Sequence, residues 1–454
     1  MRITPELLAR YDRPGPRYTS YPTAVDFSPV FDAAAYERAL QRLEGRPEPL
    51  ALYAHIPFCA QRCAYCGCTT ACSQGAELNR YLQALLRELE LLSERLGAAR
   101  RLAQLHWGGG TPAALGTRRL LSLHDAIRER FELLPDAEQA FEADPRHTPH
   151  ALLEGLAARG FERISFGVQD FDALVQEAIG RRQSYEQVAK VLAAARSSGF
   201  RSVNFDLVYG LPGQTLESFE RSLELVTALR PERLAVYSFA YLPHLRENQR
   251  ALDASLLPSP ALKLELLACA HQRLLSAGYV AIGIDHFALP TDELAQAAAK
   301  GRLSRSFMGY SPRVAPHWLG LGASAIGYVE HCYAQNHHDV EQYQAAIEAG
   351  GFATLRGYAL SEDDQLRAEV IRELLCNFRL DYALLESKYH IDFAEYFSPE
   401  LVRLREMQDE GLLTLSADGL VASELGRTFA RNLAMVFDRY LKRHEEAGRF
   451  SRTV

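Results

Sequence analysis

Six short apolar runs alternate with long amphipathic segments between residues 51 and 240, and this alternation constrains the fold more than any other feature of the chain. The runs are "ALYAHI" (51–56), "LAQLHW" (102–107), "QAFEAD" (139–144), "RISFGV" (163–168), "SVNFDLVYG" (202–210) and "RLAVYSFA" (233–240). Between them lie helix-period segments such as "AELNRYLQALLRELELLSERL" (76–96) and "SYEQVAKVLAAARSSG" (184–199). A strand followed by a helix and another strand makes a parallel pair with the helix packed outside. Six such units predict an α/β fold, a parallel β/α barrel or an incomplete one, with a weaker seventh strand in "GYVAIGIDHF" (278–287).

The flanks read differently. Residues up to about 35 include "DRPGPRYTSYP", whose three prolines and one glycine predict an extended arm and not a packed element. From about residue 360 the chain reads as helices, with a hairpin "GLLTLSADGLVAS" (411–423) turning at Asp418-Gly419 and a closing helix over 426–444. Helices followed by a hairpin suggest a winged-helix-like shape. Residues 361–454 carry 18 acidic and 13 basic side chains, and the whole chain has a formal charge of −7, so neither offers the basic surface that nucleic acid needs. With 454 residues the chain is long enough for two or three units. Its start carries no apolar signal core, and no run of apolar residues is long enough to span a bilayer, so a cytoplasmic protein is expected.

Five of eight cysteines, Cys59, Cys63, Cys66, Cys68 and Cys72, fall within fourteen residues. A disulfide framework would spread them through a short secreted chain, so this cluster reads as a metal or iron–sulfur site. Cys59, Cys63 and Cys66 have the spacing C-x3-C-x2-C directly after the first strand. Structural zinc asks for four closed ligands, commonly in two pairs, and there is no second pair here. Three thiolates on an iron–sulfur cluster leave one iron open to a ligand. Cys68 cannot complete the set without closing that position. It is expected to bind no iron and to sit near the substrate. Cys269 and Cys376 lie in apolar helical context and read as core residues.

Further motifs fall at successive strand ends, the face on which barrel enzymes build their sites. "HWGGGTP" (106–112) allows close backbone approach, Glu142 ends the third strand, and "GVQD" (167–170) places Gln169 with Arg181 shortly after. Asp206 belongs to the fifth strand and Ala240 closes the sixth. An acid, an amide and an arginine converging there could hold ribose hydroxyls and a carboxylate.

The cysteine triplet with Tyr65 before its last member resembles the radical S-adenosylmethionine superfamily. Along nearly its whole length the chain is similar to the oxygen-independent coproporphyrinogen III oxidases of haem biosynthesis. The resemblance is carried by "GPRYTSYPTA" (15–24), "HIPFC" (55–59), "CGC" (66–68), "HWGGGTP", "DPR" (144–146), "GVQDF", "DLVYGLP", "DHFA" (285–288), "CYAQN" (332–336), "CNFRLDY" (376–382) and "FSR" (450–452). It implies a three-quarter barrel over 36–358 with a substrate-side extension, an N-terminal arm over 1–35, and a C-terminal mostly helical domain over 359–454. It also implies one [4Fe–4S] cluster on Cys59, Cys63 and Cys66, and two S-adenosylmethionine molecules. Tyr53, Gly109, Glu142 and Ile326 would contact the molecule on the iron. Gly110, Thr111, Gln169, Arg181, Asp206 and Ala240 would contact the second, with Tyr65 stacked nearby.

The implied reaction is the oxidative decarboxylation of two propionates of coproporphyrinogen III to vinyl groups by a 5′-deoxyadenosyl radical, giving protoporphyrinogen IX, with an electron donor as partner and the enzyme a monomer. Arg17 is a candidate for the carboxylates, and Cys68, Phe307 and Met308 are candidates beside the substrate. Met308 departs from the family, which carries a glutamine there; a thioether cannot donate the hydrogen bonds of an amide. A second reading is a radical S-adenosylmethionine relative that binds haem as a chaperone or acts on another porphyrin. Such relatives usually lack the "PRYTSYP" arm and the cysteine at position 68, and both are present here. A third reading, a redox or zinc protein with no radical step, leaves the strand-end residues unexplained.

Overall fold

The computed structural model of the protein describes residues 4–313, 315–444 and 449–453. Its centre is a 12-stranded sheet. All six expected strands form: β1 (Leu50–Ile56), β2 (Arg101–Gly109), β3 (Glu132–Ala143), β4 (Arg163–Gln169), β5 (Ser202–Tyr209) and β6 (Arg233–Ser238). They pair side by side and parallel in sequence order. Helices Ala76–Leu96, Thr117–Arg130, His150–Ala157, Tyr185–Ser198 and Leu216–Leu229 make the crossovers. The fourth of these shows why the segment is helical: Ser184 accepts from the Gln187 N–H at its start, and Gly199 takes φ +112° just past its end.

Beyond β6 the seventh strand differs from expectation. It is a hairpin, β7 (Val280–Ile282) and β8 (His286–Ala288), and β8 runs antiparallel to β6. "GYVAIGIDHF" contains Gly283 at φ +54°, which turns the chain where one continuous strand was expected. The opposite flank was not foreseen. A short hairpin of β9 (Ser304–Ser306) and β10 (Gly309–Ser311) stands apart from the sheet. Next β11 (His317–Leu321) pairs parallel to β1, and β12 (Ile326–Val329), β13 (Cys332–Asn336) and β14 (Thr354–Ala359) continue as an antiparallel meander. The sheet therefore ends at β14 on one side and β7 on the other and does not close.

Packing follows from period two. In β4, Ile164, Phe166 and Val168 are buried, while Arg163, Ser165 and Gly167 alternate with them. The apolar faces and the inner stripes of the helices form one core that includes Trp107, Phe141, Phe161, Phe166, Phe205 and Phe219. Each such ring contributes about 2 kcal/mol by leaving water.

The arm is not free. Residues Pro5–Tyr11 form a helix, and Tyr11, Tyr18 and Tyr21 are buried in the core of the C-terminal region. Aromatic rings explain the departure from the proline-based expectation, because they supply the apolar area that anchors the segment. Arg431 donates to the carbonyls of Gly15, Pro16 and Arg452, binding arm and C-terminal tail together. The expected closing helix over 426–444 is broken into Glu424–Thr428, Ala430–Val436 and a turn at Leu441–Arg443. The hairpin turns through Ser416–Asp418, and Gly419 already belongs to the returning strand Gly419–Ala422. A third strand, Arg379–Asp381, completes its small sheet. Cys376 is buried and Cys269 half-buried against the core.

One buried acid interrupts the apolar stripe of helix Ala76–Leu96. Glu88 accepts from the Gly322 N–H (2.8 Å), Asn336 Nδ2 (2.7 Å) and Tyr343 OH (2.7 Å), joining that helix to β11, β13 and helix Val340–Glu348. Burial pushes its carboxyl up to about 7 from the usual 4.5. The folded chain thus keeps a proton that the unfolded chain has shed, so the group's contribution is full below about pH 4.5 and lost as pH rises through about 7. Glu88→Gln removes this titration. The thermal midpoint of the variant should vary less across that window than the wild type's, and equal slopes would refute the assignment.

Candidate functional site

The inner face of the open sheet is polar, and its side chains hold one another in place. Glu142 on β3 takes a hydrogen bond from His106 Nε2 (2.9 Å) and one from the Gly109 N–H (3.2 Å). A Cβ at Gly108 would stand 2.5 Å from Glu142 Oε2, so only glycine leaves room for this acid. Burial pushes Glu142 up, but His106 and the Gly109 N–H outweigh it and hold the carboxyl below its usual range. Tyr53 stacks on His106 with ring centroids 5.8 Å apart and shares a hydrogen bond with His55 Nδ1 (3.0 Å). Register places Tyr53 opposite Gly320, which lies against Ile326 at the start of β12.

Asp206 lies two strands on. Ser165 Oγ (3.0 Å) and Asn204 Nδ2 (2.8 Å) donate to it, while burial and the nearby charge of Glu142 push its carboxyl up to about 6. Two acids of one lumen are thereby set apart, one ionised and one partly protonated near neutrality. At the end of β4 a register shift leaves Gln169 at φ +69°, and Gly167 keeps space for Gln169 and Arg181. Arg181 Nη2 donates to the Gly167 carbonyl (2.6 Å), and Nη1 pairs with Asp144 (3.0 Å).

The cysteine loop closes this end of the sheet. Its base is knotted by the Cys59 N–H on the Ala71 carbonyl and the Ala71 N–H on the Pro57 carbonyl. Gly110 packs so closely that a Cβ would lie 2.9 Å from Cys59 Sγ, and Thr111 Oγ1 lies 3.6 Å from the same sulfur. Cys63 Sγ faces two guanidinium groups, Arg181 at 3.7 Å and Arg146 at 3.9 Å, both paired to Asp144. Burial pushes the Cys59 thiol up to about 11. The exposed Cys68 donates to Cys66, lowering the Cys66 thiol to about 6 and raising Cys68 well above its usual value. Tyr65 packs against the apolar cluster that includes Val175, Ile179, Val208 and Phe239.

These residues fit an iron–sulfur cluster. Among the described residues no three His, Cys, Asp or Glu side chains converge on a single ion, whereas a cluster takes one thiolate per iron and needs no such point. The glycine cradle at Gly110 and the cations beside Cys63 suit a bulky group that draws anionic thiolates.

The substrate-side candidates separate. Phe307 and Met308 are the two-residue turn of the β9–β10 hairpin. Met308 lines a cavity of about 740 Å³ that reaches His106, Glu138 and Arg163 inside the sheet and Arg372 on the C-terminal region, while Phe307 packs edge-on against Tyr333. Arg17 and Cys68 do not line that cavity. Arg17 is drawn to the end of β6, where it donates to the Ser238 carbonyl (2.9 Å), faces Asp285 (3.5 Å) and covers the Tyr237 ring.

Sequence reasoning missed Asp144 and Arg146, although "DPR" directly after a strand end was a usable signal. It also missed Asn248 and Gln249, whose amides reach backbone carbonyls of the cysteine loop and of Ala240. No side-chain motif marks such contacts. Among the described residues no helix is long and apolar enough to cross a membrane.

Cys68→Ser tests the division within the loop. The reconstituted variant should bind as much iron as the wild type, and loss of iron would make Cys68 a ligand.

Comparison with known proteins agrees with this geometry. Residues 53–226 match the model of the Radical SAM superfamily and residues 360–429 that of the HemN C-terminal domain. The oxygen-independent coproporphyrinogen III oxidase of Escherichia coli is 43% identical over 449 residues, covering 99% of this chain and 98% of that protein. Those of Helicobacter pylori strain J99 and Pseudomonas aeruginosa are each 41% identical, over 99% and 100% of this chain and 99% of their own lengths. The solved structure of the Escherichia coli coproporphyrinogen III oxidase, described as a radical SAM enzyme, superposes with a TM-score of 0.90 at 42% identity, over 93% of this chain and 97% of that one.

Proposed function

This chain belongs to the oxygen-independent coproporphyrinogen III oxidase family of radical S-adenosylmethionine enzymes, and on that premise we propose that it converts two propionate side chains of coproporphyrinogen III to vinyl groups. Each conversion gives one hydrogen atom to the abstracting radical, releases one carbon dioxide and passes one electron to an external acceptor, and the two together give protoporphyrinogen IX. The observation that carries the reading is the convergence of the cysteine loop, the Gly108–Gly110 segment and Glu142 at one end of a parallel sheet. When bound, the cluster and S-adenosylmethionine supply the hydrogen-abstracting chemistry. Cys59, Cys63 and Cys66 would hold the cluster, and the chain's remaining residues orient and enclose.

In this reading Glu142, held ionised by His106, offers an anion to the amino group of the first S-adenosylmethionine, with Gly109, Tyr53 and Ile326 around it. Gly110, Thr111, Gln169, Arg181, Asp206 and Ala240 contact a second molecule beside Tyr65. Asp206 presents hydrogen-bonding oxygens to ribose hydroxyls, and Arg181 a cation to a carboxylate. Coproporphyrinogen III occupies the cavity reached by Met308 and His106, and electrons come from an external donor. The protein works as a cytoplasmic monomer in three parts: an arm to about residue 35, a barrel with its extension over 36–358, and a C-terminal domain over 359–454.

An anaerobic assay with coproporphyrinogen III, S-adenosylmethionine and a reductant tests the reading. Chromatography should resolve a monovinyl and then a divinyl product; haem binding without either would favour the chaperone alternative. Met308 should repack its cavity wall without stopping turnover. That expectation fails if the wild type makes no vinyl product while Met308→Gln does.

A further inference from the structure

Between the end of β6 and helix Pro260–Ser276 the chain makes a short helical turn, Glu247–Ala251. It carries two adjacent amides turned toward the cysteine loop. Asn248 Nδ2 lies 3.1 Å from the Cys63 carbonyl, 3.0 Å from that of Ala64 and 2.9 Å from that of Cys66. Two hydrogens are thus shared among three acceptors. Its Oδ1 is buried and has no partner among the described residues, where this side chain acts as a donor alone. Gln249 is 2% exposed; its Nε2 donates to the Tyr65 carbonyl (2.9 Å) and to that of Ala240 (3.1 Å), while Oε1 accepts from the Leu242 N–H (2.6 Å). Four consecutive peptide carbonyls, from residue 63 to residue 66, are therefore held by two side chains of one turn.

We infer that Asn248 and Gln249 are positioning residues for the segment that carries Cys63 and Cys66. The inference rests on the reading of these thiols as cluster ligands. A loop carrying two thiolates must keep both sulfurs at fixed separation, and its own backbone offers little for this. Its internal support is the Cys66 N–H on the Cys63 carbonyl, and outside it the Ala64 N–H reaches the Ile179 carbonyl. Outer partners that orient ligands commonly change metal affinity 10- to 100-fold when lost. Gln249 adds a tie between the loop and the Ala240 end of β6, so loop and strand end move as one piece.

Asn248→Asp and Gln249→Glu keep shape but replace the donor by an oxygen set against carbonyls. In anaerobically reconstituted protein, each should release iron to a chelator about tenfold faster or more, with Asn248→Ala in between. The reduced cluster should also show an altered electron paramagnetic resonance spectrum. A residue that only supports the fold would lower the unfolding midpoint and leave iron release and spectrum of the folded protein unchanged; that outcome overturns the inference. If one isosteric variant does not fold, the other and Asn248→Ala carry the same comparison. A wild type that takes up no cluster would instead refute the cluster reading itself.

Discussion

Alternation along the strands is the constraint on which the rest depends. Residues such as Ile164, Phe166 and Val168 must face the helices, which turns Arg163, Ser165, Asn204 and Asp206 inward. A closed barrel fills its interior with packed apolar layers. This lumen is charged, so it needs open space on its inner side. The antiparallel flanks, β8–β7 at one edge and β12–β14 at the other, leave the sheet open. The gap is then covered by the β9–β10 hairpin, the arm and the C-terminal region, which explains why these elements are packed and not pendant.

Charge pairing decides what an interior of this kind can hold. An unpaired buried ion costs several kcal/mol, and removing one partner of a buried pair costs about 3–5 kcal/mol. Arg233 meets Asp292 (2.7 Å), and Arg163 meets Glu138. Asp144 serves both Arg146 and Arg181. The last arrangement leaves two cations on one acid beside Cys63, an excess of positive charge next to that sulfur. Glu142 and Asp206 obey the same logic with opposite outcomes. His106 offsets the burial of Glu142, whereas at Asp206 burial and the like charge of Glu142 outweigh two neutral donors and His286.

How much was legible in the sequence follows from the range of each signal. The six parallel strands and helix Tyr185–Ser198 carry their own caps and periodicity, so residues 163–168 or 184–199 announce themselves. The three-residue strands β7 to β10 are too short for period two to show. The closing segment reads as one amphipathic helix, yet Phe429 adopts φ −102° and ψ +23° and interrupts it while burying its ring. The arm's prolines promised an extended segment, and what they conceal is three tyrosines that are buried by distant sequence. Cysteine spacing and glycines located the site because their chemistry is local. Asn248 and Gln249 stayed invisible because an amide that binds backbone carbonyls recognises no side-chain pattern.

The structure also separates two tasks that the sequence runs together. The cysteine loop is held from within the barrel, by Gly110, Arg181 and the turn at 247–251. The wall bearing Met308 is held from outside it. Arg305 on β9 donates to the carbonyls of Arg17 and Tyr18, Tyr310 OH donates to the Leu375 carbonyl, and Tyr18 OH donates to Asp438. No hydrogen bond in this second set passes through Glu142, Asp206 or Arg181. One further bond, from Gln104 Nε2 on β2 to Ser311 Oγ on β10 (2.8 Å), ties the hairpin to the sheet well before its strand ends. Met308 itself is fixed through its backbone, its N–H donating to Ser306 Oγ (3.1 Å), so the fold of the turn does not depend on which side chain stands at position 308.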